Sequence, residues 1–183
     1  MDNFSYFQSR LDLINNFGNS IDMSLNEDSN LEEFLEMDRK NFFGKDHYLF
    51  RWEKFIPKEQ IEKILVNLQL LPIDASLVNI EILERGISGR VTALKIVSVK
   101  PSQEIILLKD DIRRTLSFLP SNLFVIDKKD DDLWHFKGGG FGHGVGLSQS
   151  GAIEMAKAGF SYERILDHYY RGTNILSMDA LKY

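Results

Sequence analysis

Residues 78–99 read VNIEILERGISGRVTALKIVSV, and this stretch carries the plainest fold signal of the chain. Two runs rich in β-branched residues, 78–85 and 91–99, flank the segment GISGR, whose two glycines suit a tight turn. Side chains alternate between the two faces of a strand, so runs of this kind form partly buried strands. The stretch therefore predicts a β-hairpin.

On either side of the hairpin the chain alternates between strand and helix patterns. Large residues of one parity from Tyr48 to Ile56 predict a strand, and Pro57 suits the first turn of a helix. Apolar runs and helical spacings predict further strands at 105–108, 123–127 and 133–137, and helices at 57–70, 151–158 and 162–170. These patterns indicate an α+β fold, with a mostly antiparallel sheet of about five strands and flanking helices.

The N-terminal quarter of the sequence differs from the rest in composition. Residues 1–45 are polar, rich in Asn, Asp and Glu, and lack sustained periodicity. We therefore predict a loosely packed N-terminal extension over 1–45 and a folded domain over 46–183.

Composition excludes several classes of function. The 183 residues include 22 basic and 27 acidic side chains, and the net charge of −5 argues against a nucleic-acid partner. The absence of cysteine excludes disulfides, thiolate zinc sites and thiol nucleophiles. No run approaches the roughly 18 apolar residues of a membrane span, and the N-terminus has neither the basic nor the apolar region of a signal peptide. We expect neither element in this chain.

Glycine is concentrated in one segment of the chain. Eight of the 13 glycines lie between residues 138 and 159. If the segment is extended, the even-numbered glycines from Gly138 to Gly146 present a face without side chains, which Ser148 and Ser150 continue. Such a face accepts a sugar ring or another strand at short distance. The segment therefore predicts a glycine-rich groove.

His143 lies on the opposite parity of this segment, among Phe141, Val145 and Leu147. Two interpretations remain open at this point. One is a core histidine with a satisfied hydrogen bond. The other is a histidine that positions a neighbouring group or exchanges a proton near neutral pH.

Motifs for cofactors and metals are absent from the sequence. It lacks a P-loop, a dinucleotide-binding glycine motif and a nucleophile elbow. The four histidines show no i,i+4 pairing, so we expect no metal site and no cofactor. They are His47, His135, His143 and His168.

Residues 138–175 read GGGFGHGVGLSQSGAIEMAKAGFSYERILDHYYRGTNI and closely resemble the C-terminal signature of the SpoIID/LytB family. This family contains stage II sporulation protein D and the amidase-enhancer proteins. Three upstream stretches resemble it in order and spacing: FRW at 50–52, ILERGISGRVTALKIV at 82–97 and IRRTLSFLPSNLFVI at 112–126. The resemblance covers about 48–176, the C-terminal part of the family domain.

The resemblance implies a cell-envelope protein that acts on peptidoglycan, in the sporulation members as a lytic transglycosylase. One carboxylic acid protonates the glycosidic oxygen and then helps the C6 hydroxyl to close onto C1. The family's glutamate belongs to a more N-terminal motif that residues 1–47 do not match, so no catalytic residue is assigned. Glu53, Glu84 and Glu154 are carboxylates outside that motif.

The resemblance also implies a set of residues that line the substrate cleft. They are His143, Gly144, Ser148 and Gln149. The hydroxyl of Ser148 and the amide of Gln149 can donate to sugar groups. Trp52 or a tyrosine is a weaker candidate for an aromatic face against a sugar ring, because Trp52 fits a core position better.

Three functional hypotheses follow from this resemblance. The first is a domain that binds or processes peptidoglycan glycan strands. It is either the C-terminal part of the family domain, completed by an upstream segment or a partner chain, or a divergent member with a displaced acid. The second is a non-catalytic scaffold or activator of a cell-wall amidase. The third is a decayed split-gene product that folds without a present role.

Overall fold

The computed structural model of the protein describes residues 24–100, 102–130 and 132–177. The chain divides into two compact units. Among the described residues, the larger unit holds 24–37 and 48–143, and the smaller unit holds 38–47 and 144–177.

The larger unit is built on two antiparallel sheets of three strands each. The strands found in the described part of the chain are β1 (Arg51–Pro57), β2 (Ser76–Arg85), β3 (Val91–Val99), β4 (Gln103–Leu108), β5 (Phe124–Asp130) and β6 (Leu133–Gly139). One sheet has the order β1-β6-β5 and the other has the order β2-β3-β4. The predicted α+β class is confirmed.

The expectation of one sheet with about five strands is wrong in detail, because six strands of the described residues form two sheets. The last of them, β6, lies between β1 and β5, so residues far apart in sequence pair, such as Arg51 with Gly139. A period of two in the sequence identifies the buried face of a strand but not its neighbours. For this reason the sequence pattern could not indicate which strands belong to the same sheet.

The helices of the described residues include counterparts of the three predicted at 57–70, 151–158 and 162–170. They are α1 (Asp28–Glu36), α2 (Lys58–Asn67), α3 (Asp110–Thr115), α4 (Gln149–Lys157) and α5 (Tyr162–Tyr169), with a short 3-10 helix at Arg39–Asn41. Pro57 is the N-cap of α2, because its ring cannot occupy a helix interior. Ile61 and Leu65 bury one stripe of that helix.

The predicted hairpin is confirmed as β2 and β3. The amide of Gly86 donates to the carbonyl oxygen of Arg90 (2.9 Å) and closes the turn. Gly89 has a φ of +77°, a conformation that favours glycine. The hairpin therefore forms where the two glycines predicted a turn.

Both sheets and two helices of the larger unit contribute to one hydrophobic core. Its fully buried side chains include Ile61, Leu65, Leu77, Leu94, Ile96, Ile112, Leu116, Phe124, Trp134 and Phe136. The rings of Phe124 and Phe136 meet edge to face, with centroids 5.9 Å apart. This core fixes the strands that carry the functional segment described below.

The smaller unit has a core of its own. Phe43, Met155, Ile165 and Tyr169 are buried against one another, and Phe160 packs edge-on to Phe43 with a centroid distance of 5.9 Å. These residues come from the segment at 38–47, from α4 and α5 and, in the case of Phe160, from the loop between those two helices.

The predicted N-terminal extension lies partly outside the described residues, which begin at 24. Within its described part, α1 buries Leu31, Phe34 and Leu35. Arg51 of β1 donates from Nε to the carbonyl oxygen of Leu35 and from Nη2 to that of Phe34, both at 3.1 Å. The Phe34 carbonyl oxygen also accepts from the amide of Met37 (3.4 Å), so Arg51 adds side-chain donors to the end of α1, where carbonyl groups have few partners within the helix. The domain boundary at 45/46 stays a prediction.

Candidate functional site

The glycine-rich segment leaves the sheet at the end of β6 and then turns repeatedly. Beyond Gly139, the φ angles of Gly140, Gly142, Gly144 and Gly146 are +76°, +89°, +70° and +101°. Strands require strongly negative φ, so the segment is not the extended strip expected if it formed a strand. Glycine occurs at alternate positions because the chain turns there.

Gly138 is glycine for a different reason: neighbouring atoms lie too close to leave room for a side chain. A Cβ at this position would lie 2.4 Å from the Trp52 ring and 2.5 Å from the carbonyl oxygen of Leu123. Trp52 itself is only 6% exposed. The suggestion that Trp52 offers an aromatic face to a sugar ring is therefore wrong, because its ring packs on Gly138.

Hydrogen bonds attach the end of β6 to the loop before β5. The amide of Gly139 donates to the carbonyl oxygen of Leu123 (3.0 Å). The hydroxyl of Ser121 donates to the carbonyl oxygen of Gly139 (2.7 Å), and Ser121 is fully buried. Buried hydrogen bonds of this kind are costly to leave unmade, so Gly139 is held firmly.

The next residues are attached on both sides. The amide of Gly140 donates to the carbonyl oxygen of Leu49 (2.8 Å), and Trp52 Nε1 donates to the carbonyl oxygen of Gly140 (3.1 Å). The amide of Gly142 donates to the carbonyl oxygen of Pro120 (2.9 Å). Residues 139–142 are therefore held between the loop at 120–123 and the residues that enter β1. We call residues 139–142 the clamped segment.

The side chains carried by and next to the clamped segment point to solvent. Phe141 is 69% exposed, and His143 is also exposed. The interpretation of His143 as a core histidine is therefore wrong. Its alternative role, positioning a group or exchanging a proton, stays a prediction.

The C-terminal part of the smaller unit begins at Gly144, which is exposed. The amide of Leu147 donates to the hydroxyl of Tyr170 (3.0 Å). A Cβ at Gly146 would lie 3.0 Å from the same hydroxyl oxygen. Tyr170 thus holds the second half of the glycine-rich segment against α5.

Ser148 and Gln149 lie at the start of α4. Ser148 is the N-cap, and its Oγ accepts a hydrogen bond from the amide of Gly151 (3.2 Å). Gln149 is the first residue of the helix and is exposed. The Oγ of Ser148 therefore caps α4, while the hydroxyl proton can still be donated to a ligand.

The four predicted site residues are distributed over the two units. His143 is the last residue of the larger unit, whereas Gly144, Ser148 and Gln149 belong to the smaller one. They lie on one continuous stretch of seven residues along the chain. Whether they share a substrate cleft stays a prediction.

Of the three candidate carboxylates, Glu53 has the most developed surroundings. It lines a shallow cleft of about 170 Å³, whose walls are Leu35, Arg51, Trp52, Glu53, Lys137 and Gly138. Its Oε2 lies 3.2 Å from Nε2 of His135, and its side chain is 54% exposed. Glu84 is exposed on β2, and Glu154 is partly exposed on α4. None of these three side chains is buried.

Two residues that hold the segment, Ser121 and Tyr170, were not identified from the sequence. Pro120, Ser121 and Asn122 lie between a helix and a strand, a composition typical of turns whose side chains bond to the backbone. Asn122 also takes part, donating from Nδ2 to the carbonyl oxygen of Lys109 (2.8 Å). No local sequence signal identifies the partner of Tyr170, because the contact joins α5 to a distant loop.

Within the part of the chain that the structure describes, no three His, Asp or Glu side chains are grouped in a way that would hold a metal ion. In the same part, no helix is long and apolar enough to cross a membrane.

Two of the matches to known proteins cover most of the chain. A family model described as "Domain of unknown function (DUF8618)" matches residues 1–146. An uncharacterized protein of Brachyspira hyodysenteriae is 32% identical over 132 residues, which cover 71% of this chain and 33% of that protein.

Shorter stretches are more similar to two proteins of Bacillus subtilis. The amidase enhancer is 48% identical over 54 residues, 30% of this chain and 8% of that protein. Stage II sporulation protein D is 56% identical over 41 residues, 22% of this chain and 12% of that protein. The chain therefore matches only a small part of each. These local matches support a relationship to stage II sporulation protein D.

Proposed function

The chain belongs to the family described as Domain of unknown function (DUF8618), and from this premise we propose that it binds the glycan strands of peptidoglycan. In this proposal the glycan contacts are the clamped segment and His143 in the larger unit, and Gly144, Ser148 and Gln149 in the smaller unit. The names of the two local relatives, amidase enhancer and stage II sporulation protein D, support a cell-wall setting.

The observation that carries the proposal is the combination of a fixed backbone with open space. Five hydrogen bonds described above hold residues 139–142. Apart from chain neighbours, no heavy atom of the described residues lies within 4 Å of the position that a Cβ would take at Gly140 or Gly142. A ligand therefore reaches the main chain without having to order it first. Preorganisation of this kind lowers the entropic cost of binding.

We propose binding rather than cleavage as the activity of this chain alone. Glu53, Glu84 and Glu154 all have solvent-accessible carboxylates. The resemblance assigns the general acid for glycosidic bond cleavage to a more N-terminal motif, which residues 1–47 do not match. Processing of the lytic transglycosylase type therefore depends on an acid that another segment or chain supplies, while this domain positions the strand.

A second candidate function is the activation of a cell-wall amidase. The match of 48% identity over 54 residues to a protein named amidase enhancer favours it. In that case the exposed residues of the glycine-rich segment contact the amidase instead of the glycan.

The first experiment incubates the purified chain with glycan strands stripped of their peptide stems. We expect the chain to sediment with the strands and mass spectrometry to find no new anhydro-muramic ends. Gln149→Ala removes an exposed amide and is expected to weaken binding about tenfold, the effect of roughly 1.4 kcal/mol. Lys157→Ala, at the other end of α4, is the matched control and should bind as the wild type does.

Two results would change the assignment. Anhydro ends would show that a carboxylate of this chain acts as the acid, and Glu53→Gln, Glu84→Gln and Glu154→Gln would identify it. Failure of the wild type to bind, together with a rise in the activity of an added amidase, would favour the second function.

A further inference from the structure

Phe141 is a large aromatic side chain in the middle of the clamped segment. It is 69% exposed, and it stands between Gly140 and Gly142. Single exposed apolar residues are common on protein surfaces. This one differs because the main chain that carries it is fixed on both sides.

The hydrogen bonds of the two flanking glycines set the direction of Phe141. The amide of Gly140 is bonded to Leu49, and the amide of Gly142 is bonded to Pro120. Both glycines have positive φ, which other residues adopt only with strain. The backbone therefore presents the benzyl group to solvent, and moving it inward would break these bonds.

The surroundings of Phe141 leave room for a flat ligand. The space near Gly140 and Gly142 is open, since a Cβ at either position would meet no heavy atom of the described residues within 4 Å except in chain neighbours. A ring that stacks on Phe141 can therefore contact the main chain before and after it. Aromatic side chains that combine an apolar face with nearby polar groups are typical of ligand sites.

Other exposed aromatic rings of the described residues lack this combination. Phe55 is 54% exposed, but its ring stacks on His135 with centroids 4.3 Å apart. Tyr162 is 64% exposed and begins α5 next to no glycine. Trp52 is buried. Phe141 is therefore the aromatic residue best placed to meet a ligand of the clamped segment.

We propose that Phe141 is the stacking residue of the glycan site and selects sugars of the β-linked glucopyranose type. Such sugars carry their substituents equatorially, so the axial hydrogens form an apolar face that matches an aromatic ring. This inference rests on the proposed glycan binding and adds the residue and the ring geometry that determine specificity.

The test is a titration of the full chain with a hexamer of β-1,4-linked N-acetylglucosamine, measured by calorimetry. We expect Phe141→Ala to raise Kd at least about tenfold, the effect of losing one stacked ring. Phe141→Tyr keeps the ring and should stay within about threefold of the wild-type Kd. Tyr162→Ala is the matched control, because it removes an equally exposed ring from a different element.

A second readout locates the sugar. The amide resonances of Gly140 and Gly142 should shift during the titration of the wild type, whereas that of Gly159, at the end of α4, should not. An α-1,4-linked glucose hexamer lacks the extended apolar ribbon of the β-linked chain and should give at least about tenfold weaker binding.

The outcomes separate this inference from the proposed function. If the wild type binds the β-linked hexamer and peptide-stripped strands, and Phe141→Ala binds them equally well, the role of Phe141 is overturned while glycan binding stands. If the wild type binds neither, both proposals fail. If Phe141→Ala loses only the stimulation of an added amidase, Phe141 contacts a protein and the sugar-stacking role is wrong.

Discussion

At the scale of single residues, two glycines that look alike in the sequence have different physical reasons to be there. Gly138 is required by space, since the Trp52 ring and the Leu123 carbonyl oxygen occupy the position of a Cβ. Gly140 is required by conformation, since its φ is +76° while the space around it is open. The two requirements predict substitutions of different cost.

We expect Gly138→Ala to lower the free energy of unfolding by about 3 kcal/mol, because the methyl group must displace a buried ring or a backbone carbonyl. Gly140→Ala should lower the free energy of unfolding by only about 1 kcal/mol, because alanine is strained in a left-handed conformation. Urea denaturation of both variants measures the difference.

Gly140→Asn is the control for this pair, because asparagine tolerates positive φ better than alanine does. It should be at least as stable as Gly140→Ala. An equal loss for Gly138→Ala and Gly140→Ala would contradict the structure, as would a Gly140→Asn variant that is clearly the less stable.

At the scale of elements, the ends of α4 and α5 follow local sequence signals. Ser148 and Ser161 are N-caps whose hydroxyls accept from amides three residues later, at 3.2 and 3.4 Å. After α4, Gly159 has a φ of +89°, and its amide donates to the carbonyl oxygen of Ala156 (3.0 Å). These are the usual signals for helix starts and ends. Ser148, however, is also a predicted glycan contact.

Substitutions at Ser148 separate its two roles. Ser148→Ala should lower the free energy of unfolding by about 1 kcal/mol, because the cap of α4 is lost. Ser148→Asn restores a cap and should recover most of that stability. Thermal unfolding and glycan sedimentation are measured on the same samples.

If Ser148→Asn is stable but binds glycan as weakly as Ser148→Ala, the hydroxyl contacts the sugar. If it recovers both properties, the hydroxyl acts through the helix alone. Ser161→Ala is the control, since it removes the equivalent cap of α5 and should leave glycan binding unchanged.

At the scale of the whole molecule, the described residues form two units with separate cores. The larger unit buries side chains from six strands, α2 and α3, whereas the smaller one relies on Phe43, Met155, Ile165 and Tyr169. Because burial of apolar area is the main source of stability, the smaller unit should open more readily.

Met155 is fully buried, so we expect Met155→Ala to leave a cavity and to lower the free energy of unfolding by about 3 kcal/mol. Hydrogen exchange should then accelerate in α4 and α5 but hardly in β3. Leu94→Ala is the matched variant in the larger unit and should accelerate exchange in β3. Equal acceleration of β3 and α4 in Met155→Ala would show that the chain opens as one unit.

The sequence by itself determined the local features of this protein. The glycines of the turn after Arg85, the proline before α2 and the serine before α5 act within a few residues, so their effects were visible without a structure. The glycine-rich segment was also recognised as unusual, and the four predicted site residues lie within it or directly after it.

Only the tertiary structure decided what depends on residues far apart in the chain. In the fold, β6 lies between β1 and β5, the Trp52 ring packs on Gly138, and the Ser121 hydroxyl donates a hydrogen bond to the carbonyl oxygen of Gly139. As a result, Trp52 became a core residue, and Phe141 became the exposed ring of the segment. Periodicity reports which residues are apolar at a given spacing. Which of them are buried is set by contacts between distant strands, and those contacts leave no local pattern in the sequence.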